Sequence, residues 1–191
     1  MGMNPLFVYF FVIWLPFVQA TTSTSPVVPQ EPLDATSEHE AYAIYAKVLP
    51  HLWAQRLAGK ESTNIMVLQQ ETDPPSTTID SSCSTVFSGQ TDEWADVLTD
   101  FKLQNSRVRV LQPALTMSVP YRLIHRADID HPGMWSPSRE WPEYVAVSAV
   151  GFNRARTKAI VHVHLRGQGS IESLELKDGQ WVGLGECSWI V

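Results

Sequence analysis

The chain has 191 residues, a net charge of −6 at pH 7, an apolar fraction of 44% and two cysteines. This composition excludes wholesale disorder, and the length suffices for one domain with a buried core. The acidic balance disfavours a nucleic-acid binder, which needs a concentrated basic face. The basic residues are instead dispersed. Arg107 and Arg109 alternate in one short segment, while Arg154, Arg156 and Lys158 surround one turn, where solvated positions suit them better than an anion site.

Residues 1–20 read as a signal peptide. Leu6 to Phe17 is an uncharged apolar run interrupted only by Pro16, too short for an ordinary spanning helix, and Val18-Gln19-Ala20 supplies small residues for cleavage after Ala20. No Lys or Arg precedes the run, so the alternative is an uncleaved N-terminal membrane anchor. The expected location is secreted or periplasmic, with no stable membrane span once the signal is removed. Residues 21–36 (TTSTSPVVPQEPLDAT) lack a hydrophobic period and read as a flexible tether to a single globular domain over 37–191. Cys83 and Cys187 are too far apart in sequence for a CxxC pair, and an oxidising compartment favours one disulfide between them.

Ser37 and Glu40 form a capping box, after which Ala41, Ile44, Tyr45, Val48, Leu49 and Leu52 recur at helical spacing. Pro50 predicts a kink or break, with a short helical piece continuing from His51 to Leu57 and closed by Gly59. His39-Glu40 is not a zinc-protease motif, because Ala43 stands where the second His belongs. Asn64 to Leu68 predicts a buried strand. Thr91 caps a second helix carrying Trp94, Val97, Leu98 and Phe101 and ending near Asn105. Arg107 to Leu111 and Val119 to His125 predict short strands. Asp128 to Trp141 is irregular; Asp128, Asp130 and His131 suit a Pro-rich connection better than a cation loop, which needs more oxygen ligands.

Three strands follow: Tyr144 to Val150, Thr157 to Leu165 and Ile171 to Leu176. Gly151-Phe152-Asn153 makes a turn after the first, and Asp178-Gly179 a type I′ hairpin into Trp181-Val182. The predicted fold is α+β, a curved antiparallel sheet dominated by this C-terminal β-meander with the N-terminal helix packed on it.

His162 and His164, two apart on the second of these strands, share a face and are the candidate metal ligands. The opposite face carries the core set Ala159, Val161, Val163 and Leu165, which places the His pair on the more polar face. A third ligand is not marked by spacing; His125, His131 or Glu172 qualify only if the fold brings them close. There is no GxSxG, SxxK or phosphate-binding glycine loop, and Gly167-Gln168-Gly169 and Gly183-Leu184-Gly185 read as strand ends and turns. Trp135, Trp141, Trp181 and Trp189 suit core and hairpin positions better than a ligand surface. No residue is assigned as catalytic and no cofactor is implied.

Val150-Gly151-Phe152-Asn153, the Thr157-x-Ala159-x-Val161 strand and the Lys177-x-Gly179-x-Trp181 hairpin resemble a family of secreted bacterial domains to which no activity is attached. The resemblance covers about the last quarter of the chain and implies fold and export only. That family often has cysteines between its last two strands; this chain has none there. The first functional expectation is a noncatalytic binding or envelope-associated module with a protein or glycan partner. The alternative is a secreted hydrolase, with or without a metal, using His162 and His164. A third reading is an inhibitor of an exported enzyme.

Overall fold

The computed structural model describes residues 35–57, 65–73, 83, 92–129, 144–165 and 168–190. In chain order these form α1 (Ala35–Leu57), β1 (Met66–Gln69), α2 (Asp92–Gln104), β2 (Tyr121–Ile124) and the one-turn α3 (Arg126–Ile129). Then come β3 (Tyr144–Val147), β4 (Gly151–Phe152), β5 (Lys158–Leu165), β6 (Gln168–Lys177) and β7 (Gln180–Ile190). The strands make one curved seven-stranded sheet in the order β2-β1-β3-β5-β6-β7, with the short β4 paired to β5.

The C-terminal half of the sheet is the antiparallel meander that alternation predicts. Its other end is parallel, because β1 pairs with both β2 and β3 in that sense. The sheet is therefore mixed. Parallel pairing needs crossover connections, and these are supplied by the segments that carry α2 and α3.

Strand parity gives the sheet two apolar faces. Ala159, Val161, Val163 and Leu165 join Val145, Val147, Met66 and Leu68 under α1, which contributes Ile44, Tyr45, Val48, Leu49, Leu52 and Trp53. Ile160 and Ile171 point the other way, against Trp94, Val97 and Phe101 of α2. Each fully buried Val, Leu, Ile, Met or Phe among these stabilises the fold by about 1.5–3 kcal/mol. A helix on either face leaves no sheet face to water where they cover it.

α1 starts at Ala35, so Ser37 lies in the first turn rather than at the cap. It also continues through Pro50 without a break. Proline removes one helical hydrogen bond, but Leu49, Leu52 and Trp53 on either side of it are buried and hold the helix to the sheet. The expected strand at Arg107 to Leu111 is reduced to a single antiparallel bridge between Val110 and Glu71. Thr72 N donates to Arg109 O and Leu111 N to Gln70 O, which lays this segment along the end of β1. β7 is longer than Trp181-Val182, and Gly183-Leu184-Gly185 lies inside it, opposite a register shift between Ser173 and Leu174. Those glycines mark a bulge rather than a turn. Gln168 and Gly169 likewise belong to β6. Gly59, the Thr91 cap, His131, Trp135 and Trp141 lie outside the described residues.

The residues of the VGFN and hairpin motifs converge. Gly151 passes so close to α2 that a Cβ there would lie 2.5 Å from Phe101 Cβ and 2.6 Å from its backbone. Phe152 N donates to Asp100 Oδ2 at 2.8 Å. Asn153 Oδ1 accepts from Thr157 N and Lys158 N, closing the turn into β5. Asp178 and Gly179 hold φ of 51° and 75°, both in the left-handed region as a type I′ hairpin requires. That hairpin returns Trp181 onto Phe152, ring centroids 5.9 Å apart. The motif therefore encodes packing and turns.

Cys83 and Cys187 are bonded, with Sγ atoms 2.01 Å apart. Among the described residues no helix is long and apolar enough to cross a membrane.

Candidate functional site

β5 places His162 and His164 on one face, as its period of two dictates. That face is not a polar surface. It is the face α2 covers, and His162 is only 6% exposed. Gly169, paired with His164 and Trp189, has no side chain, so the Trp189 indole lies across it; a Cβ there would fall 2.4 Å from the ring. The indole thereby reaches His162 and stacks on it, centroids 5.3 Å apart and planes 6° from parallel. Neither ring nitrogen of His162 has a hydrogen-bond partner. Burial, and then the neighbouring His164, push its pKa down to about 4, so the ring is neutral.

His164 stacks beyond His162 at 6.4 Å and turns Nδ1 toward Asp73 Oδ2, 3.8 Å away. That separation is too long for a hydrogen bond. Arg126 approaches the other oxygen of Asp73 at 3.3 Å. The His164 imidazole and, beyond it, Arg126 hold Asp73 below the ordinary carboxylate range despite partial burial.

The remaining ligand candidates do not join this pair. Glu172 pairs with Val161 across β5 and β6, so it projects from the opposite face of the sheet. His125 is bound to Glu71, Nδ1 to Oε1 at 2.9 Å. Among the described residues no three His, Cys, Asp or Glu gather as metal ligands.

Glu172 has its own setting. Ser170 Oγ lies 2.5 Å from its Oε1 and 3.4 Å from Glu186 Oε1 on the adjacent strand. Burial first, and the facing Glu186 charge, raise the Glu172 pKa to about 7.

A second locus was not signalled by any spacing. α1, α2, the 109–111 segment and the β3–β4 corner enclose a cleft of ≈ 60 Å³. Its polar walls are Glu38 and Tyr42 from α1, Asp100 and Gln104 from α2, and Arg109 and Arg156 from the connections. Tyr45, behind them, donates to Ser148 O at 2.8 Å and so ties α1 to the end of β3. Burial raises the Tyr45 pKa strongly, which keeps this hydroxyl a donor. Tyr42 donates to Glu38 Oε1 and accepts from Gln112 N, at 2.8 and 2.7 Å; burial lifts its pKa to about 12. Arg156 pairs with Glu40 and lies over the Phe152 ring.

Arg109 and Asp100 share this cleft without forming an ion pair. Gln104 stands between them, accepting from Arg109 Nη2 and donating to Asp100 Oδ1. Arg109 Nε is buried and has no hydrogen-bond partner. An unsatisfied buried donor of this kind costs about 1–3 kcal/mol, more when charged. Burial and the nearby Arg107 lower the Arg109 pKa from its usual value.

A comparison with family models, with curated proteins and with solved structures found no match.

Proposed function

We propose that the chain is an exported, noncatalytic binding module whose recognition site is the cleft between α1 and α2. The carrying observation is a concave site lined by charged groups of both signs, Glu38, Asp100, Arg109 and Arg156. Small-molecule sites are concave and use a few convergent polar groups to fix orientation. Export rests on the apolar run Leu6 to Phe17 and on a cysteine pair held in a disulfide, which persists in oxidising compartments. The Thr-, Ser- and Pro-rich sequence that precedes α1 at Ala35 would act as a tether and let the module stand off an envelope surface.

One observation favours a second reading, the secreted hydrolase. Asp73 faces His164, and a carboxylate beside an imidazole is how a general base is oriented. A metal held by His162 and His164 belongs to this reading, and it needs a further ligand.

A thermal-shift screen of small polar compounds separates the two. Under the binding reading, hits stabilise the wild type and the His162→Ala/His164→Ala double variant but not Arg109→Met. Hits retained by Arg109→Met and lost in the double variant, with metal in the purified protein, would establish the histidine site instead.

A further inference from the structure

We propose that the outer edge of β7, from Gly185 to Ile190, takes up an extended segment of a partner protein as a further strand, with a lysine or arginine of that segment opposite Glu186. This surface is separate from the α1–α2 cleft, whose lining includes no residue of β7.

The edge is long and open. β7 ends the sheet with 11 residues, whereas β2, at the opposite edge, has 4. β6 pairs with one side of β7, and among the described residues no strand pairs with the other. Val182, Leu184, Glu186 and Ser188 along it are exposed. An edge strand presents a row of unpaired N–H and C=O groups, and lysine, proline or a bulge commonly guards it. β7 contains no Lys, Arg or Pro. Its guard is the bulge at Leu184, which has no partner in β6. From Gly185 to Ile190 the pairing with β6 is regular, and a new strand can follow that stretch.

The edge is also preformed. Cys187 is bonded to Cys83 and Trp189 is stacked on His162, which fixes both side chains on the α2 side of this stretch. A docking segment then has only itself to order, and its main-chain hydrogen bonds supply the affinity.

Charge selects the partner. Glu186 lies directly across from Glu172, and Ser170 Oγ contacts both carboxylates. Among the described residues neither carboxylate has a cationic partner. A residue added opposite Glu186 on a new strand places its Cβ about 4.5–5.5 Å away on the same face. A lysine or arginine there supplies the charge that the pair lacks, whereas a carboxylate adds a third like charge. A second copy of the chain suits the edge less well. Antiparallel pairing of β7 with β7 brings in another Glu186 and another net charge of −6.

The test titrates the ¹⁵N-labelled, disulfide-bonded chain with three blocked heptapeptides built on alternating threonine and valine. One has lysine at its centre and one has glutamate there. The third is the lysine peptide N-methylated throughout, which removes every backbone donor. The lysine peptide should shift the Glu186 and Ser188 amides saturably and slow their hydrogen exchange. It should bind about tenfold more tightly than the glutamate peptide, and the N-methylated peptide should not bind. Glu186→Gln should weaken the lysine peptide by about threefold. Glu186 is exposed, circular dichroism checks the variant's fold, and the wild-type titrations stand independently of it. Equal binding of the lysine and glutamate peptides would overturn the proposal, as would undiminished binding of the N-methylated one. No shift along β7 at about 1 mM lysine peptide would also overturn it. Sedimentation of the chain alone supplies the last outcome: a dimer with protected β7 amides would assign the edge to a second copy instead.

Discussion

Two glycines are fixed by space rather than by backbone angle. At Gly151 an added Cβ meets the backbone and Cβ of Phe101, whereas at Gly169 it meets the Trp189 ring. A helix backbone yields less readily than an indole. Gly151→Ala should therefore destabilise by about 3 kcal/mol, and Gly169→Ala by about 1–2 kcal/mol. Urea midpoints check the order, and equal values would contradict it. The two perturbed groups on opposite faces of the sheet titrate in opposite senses. Glu172 is raised from 4.5 to about 7, so its protonated form stabilises the fold fully below pH 4.5, and this is lost as pH rises through about 7. His162 is lowered from 6.5 to about 4, so its contribution is present above pH 6.5 and lost as pH falls through about 4. Between these limits the two oppose each other in the wild type. Glu172→Gln should therefore make stability rise with pH over this window, and His162→Phe should make it fall. Denaturation at several pH values reads both slopes, and unchanged slopes would show that neither group titrates as assigned.

Among the elements, the C-terminal strands are the most legible in sequence, because α1 on one face and α2 on the other require runs rich in apolar and β-branched residues, bounded by turn signals. The Asp178-Gly179 turn was equally plain, since its two left-handed residues are demanded by the hairpin. What sequence concealed was length and pairing. β7 runs past two glycines because its partner β6 carries a register shift opposite them. The parallel pairing of β1 depends on contacts far apart in the chain, which no local period records. Pro50 is the clearest override of a local rule, since tertiary burial keeps α1 whole. Pro50→Ala should restore the missing backbone donor and raise stability by about 1–3 kcal/mol. A loss of stability would mean that the proline's own packing outweighs that hydrogen bond.

At the scale of the whole molecule, the histidine pair was visible in sequence and the cleft was not. His162 and His164 are adjacent on one strand, so period two places them together, but nothing in that pattern tells that α2 and Trp189 cover the face. The cleft is assembled from residues as distant as Glu38, Arg109 and Arg156, and Arg109 looked like one of several dispersed basic residues. Only the fold makes it a buried donor without an acceptor. The Cys83–Cys187 bond spans 104 residues of sequence, and in the chain-entropy model a loop of that size stabilises by roughly 4–5 kcal/mol. Reduction, or Cys83→Ser with Cys187→Ser, should lower the melting temperature markedly; an unchanged melting temperature would show that the cross-link does not restrict the unfolded chain.

On the proposed function, this protein binds its ligand in the α1–α2 cleft. Native mass spectrometry of the chain purified without denaturation, beside Arg109→Met prepared identically, tests it most directly. A small adduct is expected on the wild type, absent from Arg109→Met and retained by His162→Ala/His164→Ala. An adduct that persists on Arg109→Met and disappears with the histidines would contradict it.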